Sequence, residues 1–207
     1  MFRKLFISII TISMSVAVNG QGHSYPVFTD ELIGFSWDVN VPVNNSFTNK
    51  TSLDGFQVDY RKMIKNDLSV GLELNWAGYD EYYPRKTYPI HNGAITTDFY
   101  SYMYTLPMAL TVHHYFHVNN MIFPYAGLGL GATYAEMKLY YNTYVSSDYN
   151  WGFLVRPELG AIIKFEDNSR WGVLIGARYN YSTNKTSSFN IDGIQSLGFQ
   201  LGIVAMK

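Results

Sequence analysis

Four acids, Asp38, Asp59, Glu73 and Glu158, stand against four bases, Arg61, Arg156, Lys164 and Arg178, on one side of alternating apolar runs. Charges set into such runs survive burial only when they are paired. Counting back from the turn Glu166–Arg170 sets Glu158 opposite Arg178 on neighbouring strands, at the spacing of a cross-strand pair. Arg61 is similarly placed to reach Glu73. The chemistry expected of these eight groups is structural: an ion-paired interior.

Reactive arrangements are sparse. Gly127-Leu128-Gly129-Leu130-Gly131-Ala132 imitates a dinucleotide fingerprint, but strict alternation puts its glycines on one strand face with no strand-turn-helix context. His113 and His117 share a face, yet four residues along a strand separate them by about 13 Å, too far for one metal ion. His114 faces the other way, as an interfacial anchor. A rim enzyme would need His91, with Asp80, Glu81 and Asp98 nearby as its acid-base set. The chain has no cysteine, which excludes disulfides, a thiolate nucleophile and a thiolate metal site. No catalytic residue, metal site or cofactor is expected, and the protein is not read as an enzyme.

The other functional signal is tyrosine, 18 residues in all. Tyr79, Tyr82, Tyr83 and Tyr88 crowd one segment and Tyr140, Tyr141 and Tyr144 another. Tyrosine supplies contact area at low entropic cost, so both segments resemble a recognition surface.

Eight segments alternate with period two, which marks strands. The longest such stretch runs from Tyr100 to Phe165. Tyr100, Tyr102, Tyr104, Leu106, Met108, Leu110 and Val112 occupy one face there, and Leu128, Leu130 and Tyr134 the matching face of the next strand. Connections alternate long and short from first to last. The long ones include a Tyr-rich loop over about 77–97 and a polar loop over about 138–150. A periplasmic N-terminus would put every short turn inside and every long loop outside. The fold class expected is all-β, an eight-stranded antiparallel up-and-down transmembrane β-barrel. Pro107 and Pro157 predict a bulge or a broken ladder within their strands, with facing beyond Pro107 liable to slip by one residue.

Glycine decides which face is the lumen. Gly34, Gly71, Gly127, Gly160, Gly176 and Gly198, among others, share the charged face. Glycine gains nothing on a water-facing surface, whereas an eight-stranded lumen has room only for small or interlocking side chains. The apolar face should therefore meet lipid. Its aromatics gather as girdles, Trp76, Tyr100, Tyr102, Tyr134, Trp151 and Tyr179 at the outer rim and Phe116, Phe123, Phe165 and Trp171 at the inner.

Arg3 and Lys4 precede an apolar run, Leu5 to Val18, that is too short to span a bilayer. With small residues at Val18 and Gly20 it reads as a signal peptide over residues 1–20, leaving a barrel domain over 21–207. The formal net charge of -1 gives no reason to expect nucleic acid as a partner.

The segments Leu106-Pro107 to Tyr115-Phe116 and Pro124-Tyr125-Ala126-Gly127-Leu128-Gly129-Leu130-Gly131 resemble a strand-turn-strand unit of the small eight-stranded outer-membrane β-barrels of Gram-negative bacteria. That class includes the OmpA transmembrane domain and OmpX. The resemblance implies an outer-membrane location, contact with outer-membrane lipid, and assembly by the barrel-insertion machinery. It does not select an activity. A monomer with a plugged lumen, acting structurally or through its Tyr-rich loops on an unidentified extracellular ligand, is the expected function. A narrow porin-like channel and a secreted soluble barrel carrying a small apolar ligand are the alternatives.

Overall fold

The computed structural model describes residues 30–43, 47–90, 93–141 and 144–207. The expected signal segment 1–20 and His91 lie outside the described residues. Eight strands follow in order: β1 Glu31–Val43, β2 Ser52–Lys65, β3 Leu68–Ile90, β4 Gly93–Tyr115, β5 Ile122–Tyr141, β6 Tyr144–Lys164, β7 Trp171–Ser182 and β8 Ile194–Met206. Each pairs antiparallel with the next, and β8 closes onto β1 through Leu32 to Met206 and Val43 to Gln195. Closure satisfies every strand edge, a requirement for any sheet that spans a membrane.

The orientation follows the glycine argument. Trp37, Leu72, Leu130 and Ile175 are 51%, 59%, 47% and 40% exposed, while Arg178 is 3% exposed. Large apolar side chains therefore cover the outer wall, and the charges lie inside. This overturns the soluble-carrier alternative, which needs the apolar face turned inward.

Both prolines break their ladders without shifting the register. Pairing between β3 and β4 stops after Leu74–Met108 and resumes at Ala77–Thr105, while Pro107 stays opposite Thr133 on β5. Beside Pro157 the β6–β7 ladder skips from Val155–Tyr181 to Glu158–Arg178. A missing N–H costs a local hydrogen bond, but the strong facing preference holds the alternation in phase. The slip expected beyond Pro107 does not occur.

The segments expected as loops over 77–97 and 138–150 are mostly strand. β3 and β4 each run for 23 residues, and β5 and β6 for 20 and 21. Tyrosine, threonine and valine favour the extended chain even outside the bilayer, and this preference overrides the turn signal of Pro84 and Pro89. A register shift between Tyr83 and Lys86 absorbs Pro84.

The interior is layered. At the short-turn end, Leu32, Tyr115, Phe123, Tyr125, Ile162, Leu174, Val204 and Met206 form a buried apolar cluster. At the hairpin end a second cluster joins Phe47, Ala77, Tyr79, Met103, Ala135, Met137, Ile191 and Ile194. The charged side chains lie between them. Phe123 thus belongs to the interior and not to the inner girdle, being 1% exposed. Its odd position puts it on the same face as Tyr125 and Gly127. Phe116, Phe165 and Trp171 do face outward.

Candidate functional site

Seven of the eight charges expected inside meet in one buried layer. Arg61 on β2 is its hub. Its Nε donates to Asp59 Oδ2 at 3.0 Å, and one Nη lies 3.7 Å from Glu73 Oε1 and 3.6 Å from Glu158 Oε1. Its guanidinium also stands 4.6 Å from the Tyr125 ring centroid, a cation–π contact away from water. Arg156 on β6 reaches the other Glu73 oxygen at 3.2 Å and donates to Asn180 Oδ1 at 2.7 Å. Arg178 on β7 pairs with Asp38 and bonds Gln57, and it donates to Gln200 Oε1 at 3.1 Å. Asp38 accepts in turn from Asn75 at 2.6 Å and Asn40 at 2.5 Å.

Arg61 reaches Glu73 as the register argument predicts. The partner expected for Arg178 is different. Glu158 does sit opposite it in the ladder, but the ion pair goes across the lumen to Asp38 on β1. In a barrel this narrow, long side chains reach neighbours on several strands, so ladder position alone does not choose the partner.

Lys164 is the exception. It is half-buried at the short-turn end, its Nζ 5.4 Å from the Phe123 ring centroid, and makes no ion pair among the described residues. It lies a full strand-half below the layer and does not belong to it.

In its place stands His113, completely buried on β4. Its Nε2 is 2.5 Å from Glu158 Oε1 and 3.5 Å from Glu73 Oε1. The imidazole packs edge-on against Tyr125, with centroids 5.2 Å apart. Sequence reasoning considered His113 only as a metal partner of His117. The usable signal was its parity with Thr111 and Ala109, which places it on the lumen face. Glu73, His113 and Glu158 offer ligand atoms within 4.8 Å of one another, but the Arg61 guanidinium already faces both Oε1 atoms and would repel a metal cation.

Glycine makes room for the layer. A Cβ on Gly127 would run into the His113 ring, and one on Gly160 would lie 2.5 Å from the Tyr125 hydroxyl. Tyr125 uses that space to accept from Gln200 Nε2 at 3.0 Å.

Of the seven tyrosines expected on the surface, Tyr79 is corrected. It is 3% exposed within the outer apolar cluster, because its place on β3 is inward-facing once the strand continues. The others lie on the projecting hairpins. Tyr82 and Tyr100 pack with centroids 4.7 Å apart, Tyr102 meets Tyr140 edge-on at 5.5 Å, and Tyr141 stacks on Tyr144 at 6.4 Å. Tyr144 is 70% exposed. On the opposite side of the β3–β4 hairpin, Tyr83 and Tyr88 are half-buried around Phe99, at 4.6 and 5.6 Å.

Tyr100, Tyr102, Tyr104, Lys138 and Tyr140 line an outward groove of about 370 Å³. Lys138 is ion-paired with Glu136, which raises its pKa. The Tyr83 hydroxyl donates to Glu81 Oε2 at 3.0 Å. Desolvation, and then the Glu81 carboxylate, push its pKa up to about 12. The acids considered for rim catalysis are engaged elsewhere. Asp80 pairs with Lys50 at 3.1 Å, Glu81 accepts from the Asn49 N–H at 2.8 Å, and Asp98 accepts from Tyr82 at 3.1 Å.

A family model described as the outer membrane protein beta-barrel domain matches residues 6–205. Among solved structures, Neisserial surface protein A shares 13% identity at a TM-score of 0.57, over 86% of this chain and 98% of that one. The outer membrane protease OmpT from Escherichia coli shares 8% at 0.50, over 90% and 99%. OprG from Pseudomonas aeruginosa shares 13% at 0.46, over 89% and 98%. No curated protein matches the chain. At such identities the likeness is one of fold.

Proposed function

The chain belongs to the outer-membrane β-barrel domain family, and from that premise we propose that it is a closed, non-enzymatic anchor that displays tyrosine-rich hairpins for recognition at the cell surface. The observation that carries this reading is the continuation of β3 to β6 past the apolar belt. Beyond Trp76, β3 runs on to Ile90 as an ordered ladder with β4, about 45 Å of chain at a strand's rise per residue. Tyr82, Tyr100, Tyr140 and Tyr144 project from it and from its β5–β6 neighbour. Paired rings on rigid strands give a preordered contact surface, which lowers the entropic cost of binding.

The lumen supports an anchor better than a channel. A charged layer set between two buried apolar clusters supports this. Insertion by the barrel-assembly machinery and a monomeric state belong to the same reading, since the strands pair all the way round within the ring.

The test has two arms. Cells displaying the protein are compared with a Tyr82→Ser/Tyr100→Ser/Tyr140→Ser/Tyr144→Ser variant for attachment to arrays of immobilised glycans and proteins. Heat-modifiable gel mobility checks that both barrels fold. A ligand held by the native surface and lost by the variant supports the reading, and indistinguishable profiles would overturn it. Planar-bilayer recording is the second arm, where stable unit currents would contradict a closed lumen.

A further inference from the structure

The buried layer holds four acids, Asp38, Asp59, Glu73 and Glu158, against three arginines, Arg61, Arg156 and Arg178, all of them 3% exposed or less. Lys164, the fourth base that composition offered, stands outside it. With all four carboxyls ionised the layer is one positive charge short, in a place where an uncompensated carboxylate is strongly disfavoured. We infer that His113 is the missing cation, an interior proton-binding site held as an imidazolium between Glu158 and Glu73.

The geometry at Nε2 supports this, while the buried Nδ1 has no hydrogen-bond partner among the described residues. Facing an ionised Glu158, Nε2 carries the proton in its 2.5 Å bond to Glu158 Oε1, whatever the charge on the ring. The proton on Nδ1 is the one at issue, and the charge count decides it. The groups around the ring are Asp59 and Arg61 from β2, Glu73 from β3, Tyr115 on its own strand, Tyr125 from β5 and Glu158 from β6. Three of these are carboxylates and one is a guanidinium. A short contact to an anionic oxygen fits a charge-assisted bond. Gly127 on β5 keeps the space the ring needs. A divalent metal ion would meet Arg61 instead, and both apolar clusters stand across its way in.

The inference rests on the burial of the charged layer and not on the lumen being closed to ions, so its test is independent of conductance. Ring-nitrogen NMR of the mature chain, histidine-labelled with ¹⁵N and folded in detergent micelles, should show both His113 nitrogens protonated at neutral pH. A ring protonated on one nitrogen only would overturn the inference. The signal is assigned by its loss in His113→Gln or, should that variant not fold, by its displacement in Glu158→Gln. Thermal unfolding supplies a second reading. His113→Gln should lower the midpoint, and adding Glu158→Gln should recover most of that loss by removing the stranded charge. A ring needed only for packing would give no recovery. Zinc alone, titrated into the folded protein, should leave the midpoint unmoved. Stoichiometric binding that disappears in His113→Gln would also overturn the inference, since the site would then take a metal ion. A barrel that conducts but carries a doubly protonated His113 would refute the closed lumen and leave this inference standing.

Discussion

Glu158 lies directly across the β6–β7 ladder from Arg178, yet its carboxylate bonds to His113 on β4 and Arg178 bonds to Asp38 on β1. The two nearest opposite charges pass each other by. Each finds its partner across the barrel, so the ion pairs tie together strands that share no ladder. The layer acts as a brace across the lumen, and its members should fail together.

Removing one end of such a pair strands the other. Asp38 is fully buried, so Arg178→Gln leaves a carboxylate with its two asparagine donors and no cation. Breaking a buried pair from one side costs about 3–5 kcal/mol. Urea unfolding in micelles should show a loss of this size for Arg178→Gln, and Arg178→Gln/Asp38→Asn should regain much of it. Loss without recovery would mean that Arg178 matters for packing alone.

Much of this was legible in the residues. Alternation and loop parity lead to eight strands, and the glycines lead to the correct lumen face, because Gly127, Gly160 and Gly198 are each opposed by a large interior side chain. Partner choice was not legible. Arg61 to Glu73 is a contact between adjacent strands and could be read from register. Arg178 to Asp38 spans the closure between β7 and β1 through the lumen, and no strand-by-strand count contains it. Three of the four expected bases lie in the layer; Lys164 does not, and His113, which a count of formal charges leaves out, stands there instead. Charge at neutral pH is the usual way of counting, and it sets histidine aside. The hairpins were read as loops because proline and asparagine signal turns locally, while pairing with a neighbouring strand is a tertiary effect.

Space at the glycines sets a second expectation. Gly127→Ala drives a methyl group into the His113 ring, whereas an added Cβ on Gly93 meets nothing within 4 Å. Overpacking of this kind costs about 1–3 kcal/mol. Unfolding midpoints should fall for Gly127→Ala and stay within error for Gly93→Ala. Equal effects would mean that lumen crowding does not constrain the sequence.

Leu110, 67% exposed on β4 between Leu72 and Leu130 of the neighbouring strands, points away from the lumen. Arginine there must enter the hydrocarbon, at a cost of about 2–4 kcal/mol near the midplane. Folding of Leu110→Arg into bilayers should suffer accordingly, while Val145→Arg, 54% exposed on the projecting part of β6, should be neutral. A neutral Leu110→Arg would place the membrane elsewhere on the barrel.

Tyr83 gives the hairpin an alkaline limit. Its pKa is raised to about 12, first by desolvation and then by Glu81. A phenol whose folded value lies above its unfolded one near 10 stabilises the fold fully below about pH 10. That contribution fades as pH rises through about 12. Ultraviolet titration should show a late-ionising fraction that falls by one tyrosine in Tyr83→Phe and from which one tyrosine moves to lower pH in Glu81→Gln. Tyr83 is only half-buried, so the effect on overall stability should be small.

The mouth offers the last prediction. Phe47, from the segment before β2, and Phe189, from the segment before β8, meet with centroids 4.8 Å apart over the outer cluster. Were this contact the only seal, Phe47→Ala/Phe189→Ala would open a pore. The layered interior argues otherwise. Below the mouth lie the Arg61 and Arg156 pairs, and below those the cluster of Leu32, Tyr115 and Phe123, each fully buried. Opening the mouth would bring water to the charged layer, with the lower apolar cluster still beneath it. The double variant should therefore stay silent in planar bilayers while its outer hairpins become more open to protease. Stable currents from it would place the whole barrier at the two phenylalanines and remove the case for a brace that also closes the lumen.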